Sequence, residues 1–270
     1  MLLVSSTVIS PLSTADEGTT SDEPPPEVES SEQIRSYPGT DNEVSSGYVQ
    51  LKLDWINDGF PGRVDALQIT QSRSAAKSCS NAHQEGDSVT VNQGSESTQA
   101  TVEKLGSGIA ILVEVGVSIP LTTLNDIATT WDNTIEPTVT NYFGSIPDID
   151  DTCTVELLIL AIDGGGGIGG YFNPGLSSSR EIIFMDSDDL SWRNTIISHE
   201  FAHLLHSARD PGEYLWIDEG AADMASYLTF GLTNTLTGHA NSWTESSNLS
   251  VRWWNQRIGD YGAGFLMMLY

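Results

Sequence analysis

The pattern of apolar and polar positions predicts short strands in one part of the chain and longer buried strands in another. Between residues 47 and 100, alternating runs such as 48–53 and 88–91 are separated by Gly, Asn and Ser, which is typical of β-strands. Longer and almost continuous apolar runs predict buried strands, because a strand that is covered on both faces needs no polar side. These runs occupy residues 108–114, 154–162 and 181–185.

A helix is predicted after the first of these buried strands, because apolar residues then recur at steps of three and four. Its apolar face comprises Leu124, Ile127, Trp131, Ile135 and Val139. Either Thr122 or Thr123 can cap the start of this helix, and Pro137 should kink or break it. The strands and helices together predict an α+β fold.

The two ends of the sequence carry different signals. Residues 1–15 are apolar and small, which indicates a clipped signal peptide with a cleavage point near Ala15. Residues 16–46 have no apolar period and are rich in Ser, Pro and acids, so a disordered acidic linker or pro-segment is predicted. The sequence stops inside an apolar, helix-like run at 261–270, so we expect a fragment. The side chains expected to be poorly covered are Phe265, Leu266 and Leu269.

Acidic residues strongly outnumber basic ones. The chain has 37 Asp and Glu against 11 Lys and Arg, which gives a formal net charge of −26. This charge repels nucleic acid and anionic membrane surfaces, so neither is expected as a partner. Three of the basic residues are lysines, which favours adaptation to high salt, where self-repulsion is screened. An ordinary acidic secreted protein is the alternative. Apart from the N-terminal run, no stretch is apolar enough for a membrane span.

Other residue patterns exclude some site classes. The chain has two cysteines, Cys79 and Cys153, which excludes a disulfide-dense scaffold and a cysteine-rich zinc site. The two residues can either form one disulfide or remain as two buried thiols. The glycine-rich run 164–170 lacks the motif of a phosphate loop and the spacing of a dinucleotide fingerprint, which excludes nucleotide binding. The acidic runs 148–151 and 186–189 offer oxygen ligands for Ca²⁺, although they lack the pattern of an EF-hand loop and solvated surface is the alternative.

Residues 191–206 carry recognisable chemistry. His199 and His203 stand four positions apart, so on a helix they face the same way and can bind one zinc ion. Glu200 beside the first histidine can take a proton from a water on that zinc. The opposite face of the same helix should pack against the core, because it is apolar. Its members are Ile197, Phe201 and Leu204.

A catalytic zinc site needs a third protein ligand. A metzincin would have Gly at position 206 and His at position 209, whereas this chain has His206 and Arg209. A glutamate on a returning helix fits better, because Glu219 lies 16 positions after His203, beyond a turn. Asp223, one helical turn later, can accept a hydrogen bond from a ligand histidine and fix its tautomer. We expect His206 to be a packed or solvated neighbour rather than a ligand.

The motif at 199–203, followed by Trp-Ile-Asp-Glu-Gly-Ala-Ala-Asp at 216–223, resembles the gluzincin metallopeptidases and most of all their hyicolysin-type branch. Weaker similarity runs from the strand near residue 108 to the run at 261. The resemblance implies a zincin-like fold with a mixed sheet, an active-site helix and a returning ligand helix, and its C-terminal lobe is expected to be incomplete. One departure is Asp218, where these families usually have Asn. The implied zinc ligands are His199, His203 and Glu219.

The resemblance implies a secreted zinc endopeptidase that acts on protein or peptide substrates. Zinc would lower the pKa of its water, and Glu200, the implied general base, would accept the proton and pass it to the leaving amine. In related enzymes a downstream His or Tyr holds the oxyanion, for which Tyr261 and His239 are the candidates. The alternatives are a catalytically silent surface protein and a zinc hydrolase of non-peptide substrates. The oligomeric state is not indicated by the sequence.

Four segments are therefore predicted along the chain. Residues 1–15 form the signal peptide, and residues 16–46 form the acidic linker or pro-segment. Residues 47–100 form a small β-rich segment, and residues 101–270 form the catalytic domain, truncated at its C-terminus.

Overall fold

The structure is a computed structural model of the chain. It describes residues 83–94, 96–164, 167–176, 179–245, 254–255 and 257–270. The predicted signal peptide, the acidic segment, the strand at 48–53 and Cys79 lie outside the described residues. Cys153 is described and carries no free thiol.

The core of the described fold is a six-stranded mixed sheet. Its strands are β1 Ser88–Gln93, β2 Glu96–Leu105, β3 Ile109–Glu114, β4 Val155–Leu160, β5 Gly170–Phe172 and β6 Ile182–Asp186. The spatial order is β1-β2-β3-β4-β6-β5. The three predicted buried strands are confirmed as β3, β4 and β6, whereas the short edge strand β5 was not predicted.

The strand directions explain the sequence patterns. β1, β2 and β3 form an antiparallel meander, while β3, β4 and β6 run parallel, and β5 pairs antiparallel with β6. All six residues of β4 are buried, as expected of a central parallel strand covered on both faces. The predicted boundary at residue 100 falls within β2, which is hydrogen-bonded to β3 in the same sheet.

Helices cover one face of the sheet. They are α1 Leu121–Thr130, α2 Glu136–Phe143, α3 Arg193–Ser207, α4 Leu215–Phe230, α5 Asn234–Glu245 and α6 Ile258–Leu269, with a π-helical stretch at Trp131–Ile135 between α1 and α2. Alternate residues of the central strands divide between the two faces: Ile109 and Ile111 pack towards the helices, whereas Ala110 and Leu112 pack on the other face.

Two details of the first helical region differ from the prediction. The predicted threonine cap is wrong, because α1 begins at Leu121 after Pro120 and no side chain caps it. Pro137 does not end the helical path either. It lies in the first turn of α2, directly after the π-helical stretch, where its missing N–H is tolerated.

Helices α4, α5 and α6 approach one another closely through glycines. A Cβ atom on Gly220 of α4 would lie 2.6 Å from the backbone of Gly264 of α6, and one on Gly262 would collide with the carbonyl of His239 on α5. The lack of a side chain at these positions lets α6 lie against both α4 and α5. This close packing brings Tyr261 and His239 to the helix that carries Glu219.

The exposure expected near the end of α6 is only partly found. Phe265 is fully buried, which contradicts the expectation, because it packs on Tyr227 of α4. Leu269 is 43% exposed. Among the described residues, no helix combines the length and apolar character that crossing a membrane requires.

Candidate metal site

Helices α3 and α4 bring together the two motif histidines and a glutamate. The Nε2 atoms of His199 and His203 lie 3.1 Å apart. The Oε2 atom of Glu219 lies 3.2 Å from Nε2 of His199 and 3.3 Å from Nε2 of His203. All three residues are buried. Within the described ranges, no other group of three His, Cys, Asp or Glu residues has metal-ligand spacing.

The spacing of these three atoms fits a zinc ion. Zinc binds nitrogen and carboxylate oxygen at about 2.0–2.2 Å in a tetrahedral arrangement, in which two ligand atoms lie roughly 3.3 Å apart. The three distances of 3.1, 3.2 and 3.3 Å approach this value on every side of the triangle. Three protein ligands also match a catalytic zinc, which leaves its fourth position to water or substrate.

The rest of α3 holds the histidines in place. Its opposite face is packed into the core as predicted, and Phe201 lies with its ring centroid 4.5 Å from that of Trp131. The hydroxyl groups of Ser198, which directly precedes His199, and Ser226 are hydrogen-bonded at 3.0 Å and join α3 to α4. Arg209 donates to the carbonyl oxygens of Leu205 and Ser145, which fixes the end of α3.

The carboxylates around the site favour a positive charge at its centre. Burial by itself would lower the pKa of His199, but hydrogen bonds to Asp223 and Glu219 and the charge of Glu200 raise that pKa to about 10. Burial would likewise raise the pKa of Glu219, but the charge of His203 and hydrogen bonds to both histidines hold it far below its usual value. A bound cation would supply the charge that these groups otherwise take from a proton.

Asp223 contacts one of the two histidines of the motif. Its Oδ1 atom lies 3.0 Å from Nδ1 of His199, and its Oδ2 atom lies 2.6 Å from Nδ1 of His239. When Nδ1 of His199 donates to Asp223, the lone pair of Nε2 is left for the metal. The pairing of Asp223 with His239 was not predicted, because His239 lies 16 positions later on another helix.

Asp218 contacts the other motif histidine, and this contact was not predicted from the sequence. Its Oδ1 atom lies 3.2 Å from Nδ1 of His203 and 3.0 Å from Nδ1 of His206. The sequence contained a signal for this contact. His206 stands three positions after His203, so the two lie on the same side of a helix, and Asp218 directly precedes the proposed ligand Glu219. Four of the five histidines of the chain therefore belong to this site or its immediate surroundings.

The remaining candidates lie close by. Glu200 is 2% exposed, and its side chain lies beside β5. A Cβ atom on Gly170 of that strand would lie 3.2 Å from Cγ of Glu200. The ring of Tyr261 lies 5.1 Å from that of His239, measured between centroids, and is also buried. His239, one of the two proposed oxyanion donors, is in direct contact with Asp223.

The comparisons with known proteins agree with this geometry. No family model matches the chain. It is 27% identical over 179 residues to the neutral metalloprotease ShpI of Staphylococcus hyicus. The aligned region covers 54% of this chain and 41% of that protein. The chain thus spans less than half the length of this relative. These findings support a metallopeptidase relationship. Together with the triad, they support a zinc peptidase in general.

The two acidic runs, for which Ca²⁺ binding was one of the alternatives, hold carboxylates that accept hydrogen bonds from backbone N–H groups. Asp186 is fully buried and accepts hydrogen bonds from the backbone N–H groups of Asp163 and Asp188. Asp148 accepts from the backbone N–H of Cys153. In the part of the chain that the structure describes, the carboxylates of the two acidic runs do not converge into a group of three with metal-ligand spacing.

A second buried charge cluster lies at the start of β4, away from the motif. Glu156 is 4% exposed and contacts Arg180 at 2.5 Å and Nε2 of His83 at 2.6 Å. A buried charge requires such pairing, because burial alone is strongly unfavourable for a carboxylate. This cluster was not predicted from the sequence, in which Glu156 is one residue of the apolar run 154–162.

Proposed function

We propose that the chain is the catalytic part of a secreted zinc endopeptidase of the gluzincin type, closest in kind to the hyicolysin branch. The observation that carries the proposal is the convergence of His199, His203 and Glu219 on one point, with Glu200 in the same helical turn as the histidines. The zincin-like fold and the protein or peptide substrates belong to this proposal, as does the secreted location, which rests on residues 1–15.

In this proposal, each residue of the site has one task. His199 and His203 hold zinc through Nε2, and Glu219 holds it through Oε2. Bound zinc supplies a Lewis acid, which makes a water molecule acidic near neutral pH and polarises the peptide carbonyl. A carboxylate oxygen of Glu200 accepts a proton from the attacking water and delivers it to the leaving amine nitrogen.

His239 is the better supported oxyanion donor. Its Nδ1 atom pairs with Asp223 at 2.6 Å, which fixes the ring and directs Nε2 away from that carboxylate. Asp223 also contacts His199, so one residue connects the proposed donor to the metal ligands. Tyr261 packs on His239 and takes part through that contact. Donors that are held before the substrate arrives stabilise the developing charge most effectively.

The test separates zinc binding from proton transfer. Glu200→Gln should bind one zinc per chain like the wild type, yet hydrolyse casein at least about 100-fold more slowly, because an amide cannot accept the proton. Zinc content is measured by mass spectrometry of the metal, and hydrolysis is measured with and without a chelator. Glu103→Gln, a matched change at an exposed position of β2, should leave both values unchanged.

The outcomes also distinguish the alternatives. A wild-type protein that binds zinc but hydrolyses neither casein nor small esters would be a catalytically silent protein. Hydrolysis of esters without cleavage of peptides would indicate a zinc hydrolase of another class. Undiminished cleavage of casein by zinc-loaded Glu200→Gln would remove Glu200 as the general base.

A further inference from the structure

Asp218 occupies an unusual position beside the proposed metal ligands. A single oxygen atom, Oδ1, lies 3.2 Å from Nδ1 of His203 and 3.0 Å from Nδ1 of His206. Both contacts are at ion-pair distance without the alignment of a hydrogen bond, so the interaction is electrostatic. The side chain of Asp218 is 6% exposed, that of His203 is 3% exposed and that of His206 is 18% exposed. The carboxylate is therefore enclosed between one proposed zinc ligand and a further histidine of the same helix.

We propose that Asp218 is a positioning residue for zinc, which orients His203, and that His206 in turn holds Asp218 in place. The inference rests on the proposed function, because it takes His203 to be a zinc ligand. It assigns a role to His206, which was expected only to be a neighbour of the site.

A neutral imidazole carries its proton on either Nδ1 or Nε2, and only the form with the proton on Nδ1 offers Nε2 to a metal. A carboxylate oxygen 3.2 Å from Nδ1 attracts an N–H group and repels a lone pair, so it favours the form that binds metal. It also limits rotation of the ring, because the contact is lost when His203 turns.

A role in the stability of the helix does not account for this arrangement. Asp218 lies in the first turn of α4, where a negative charge interacts favourably with the helix dipole. That effect operates equally well for an exposed carboxylate. Burial next to Glu219, in a chain with a net charge of −26, is unfavourable for a second carboxylate and needs partners of its own. The imidazoles of His203 and His206 are among its partners.

Asp218 also completes a symmetrical arrangement around the two histidine ligands. On one side, Asp223 joins His199 to His239 through its two oxygen atoms. On the other side, Asp218 joins His203 to His206. Each proposed histidine ligand therefore contacts a carboxylate through Nδ1, and each of these carboxylates also contacts a second histidine. Asp218 directly precedes Glu219 and Asp223 lies four positions after it, so the two carboxylates reach the site from different turns of α4.

The experiment measures zinc affinity rather than peptide cleavage. Zinc dissociation constants are determined by competition with a chromophoric chelator at fixed pH for the wild type, Asp218→Ala, Asp218→Asn and His206→Ala. We expect Asp218→Ala to weaken zinc binding about 10–100-fold and Asp218→Asn to weaken it less, because the amide oxygen keeps a partial negative charge beside Nδ1 of His203. The visible spectrum of the Co²⁺-loaded protein should shift in Asp218→Ala, since the orientation of His203 changes.

A double-mutant cycle tests the part assigned to His206. His206→Ala should weaken zinc binding several-fold in the wild type and should have no further effect in Asp218→Ala, because it acts through that carboxylate. The matched control is Glu213→Gln, which removes a negative charge from the same small cavity that Asp218 lines. It should leave zinc affinity unchanged. Circular dichroism of the zinc-free variants checks that each one folds.

Several results would overturn the inference. They are wild-type zinc affinity and an unchanged Co²⁺ spectrum in folded Asp218→Ala, or fully additive effects of the two alanine substitutions. If Asp218→Ala does not fold, the same criteria apply to Asp218→Asn, which keeps the shape of the side chain. The outcome is separate from the proposed function, because a protein that cleaves no peptide can still lose zinc affinity when Asp218 is changed.

Discussion

Glu181 makes the stability of this protein depend on pH. It directly precedes β6 and is 2% exposed. Its Oε1 atom accepts the backbone N–H of Ile149 at 2.5 Å, while Oε2 has no hydrogen-bond partner among the described residues. Burial, together with the nearby charges of Asp150 and Asp148, raises the pKa of Glu181 to about 7. The ionised form is therefore disfavoured in the folded protein.

The size and sign of the effect follow from the shift. The pKa rises from 4.5 to about 7, and each pKa unit corresponds to about 1.4 kcal/mol, so ionising Glu181 destabilises the fold by about 3 kcal/mol. Between these two pKa values the folded state holds the proton that the unfolded state has released. The free energy of unfolding should therefore fall as pH rises from about 4.5 to about 7, and this contribution should stay constant above pH 8.

Glu181→Gln removes this dependence. The amide keeps an acceptor for Ile149 and cannot ionise. The free energy of unfolding of the variant minus that of the wild type should therefore be about 3 kcal/mol larger at pH 8 than at pH 4.5. Urea unfolding followed by circular dichroism measures both proteins at both pH values and at one salt concentration. Because other titrating groups are common to both proteins, their contributions cancel in the difference.

A matched exposed glutamate provides the control. Glu103→Gln on β2 should show the same pH dependence as the wild type. The proposed role of Glu181 is refuted if Glu181→Gln and the wild type lose equal stability between pH 4.5 and pH 8. It is also refuted if the exposed variant changes the slope as much as Glu181→Gln does.

Two further predictions concern the metal site and the charge of the chain. Asp223→Ala should weaken zinc affinity roughly 10–100-fold in a chelator competition without unfolding the protein, because His199 loses the group that fixes its tautomer; unchanged affinity would make Asp223 a structural residue only. Thermal unfolding across a salt series should show the melting temperature rising as salt increases from about 0.15 M to about 1 M, since the Debye length shrinks from about 8 Å to about 3 Å and screens the net charge of −26. A melting temperature that falls with added salt would contradict the proposed salt adaptation.

The sequence by itself determined the features that depend on local spacing. The apolar runs predicted β3, β4 and β6, because a strand buried on both faces needs apolar residues at successive positions. The four-residue spacing of His199 and His203 determined that both imidazoles lie on one side of α3, because a helical turn takes about 3.6 residues. The same periodicity predicted that the other side of α3 packs into the core. Such patterns need no knowledge of distant parts of the chain.

The tertiary structure decided which side chains meet across elements. The turn between α3 and α4 sets the distance from Asp218 to His206, and the glycine contacts of α5 and α6 bring His239 to Asp223. Sequence spacing could place each of these residues on a helix, but it could not show which helices touch or in what register. The pairing of a buried charge such as Glu156 depends on the same information, because its partners Arg180 and His83 come from distant segments. Local sequence fixes the side of an element on which a residue lies, whereas packing between elements determines what that residue contacts.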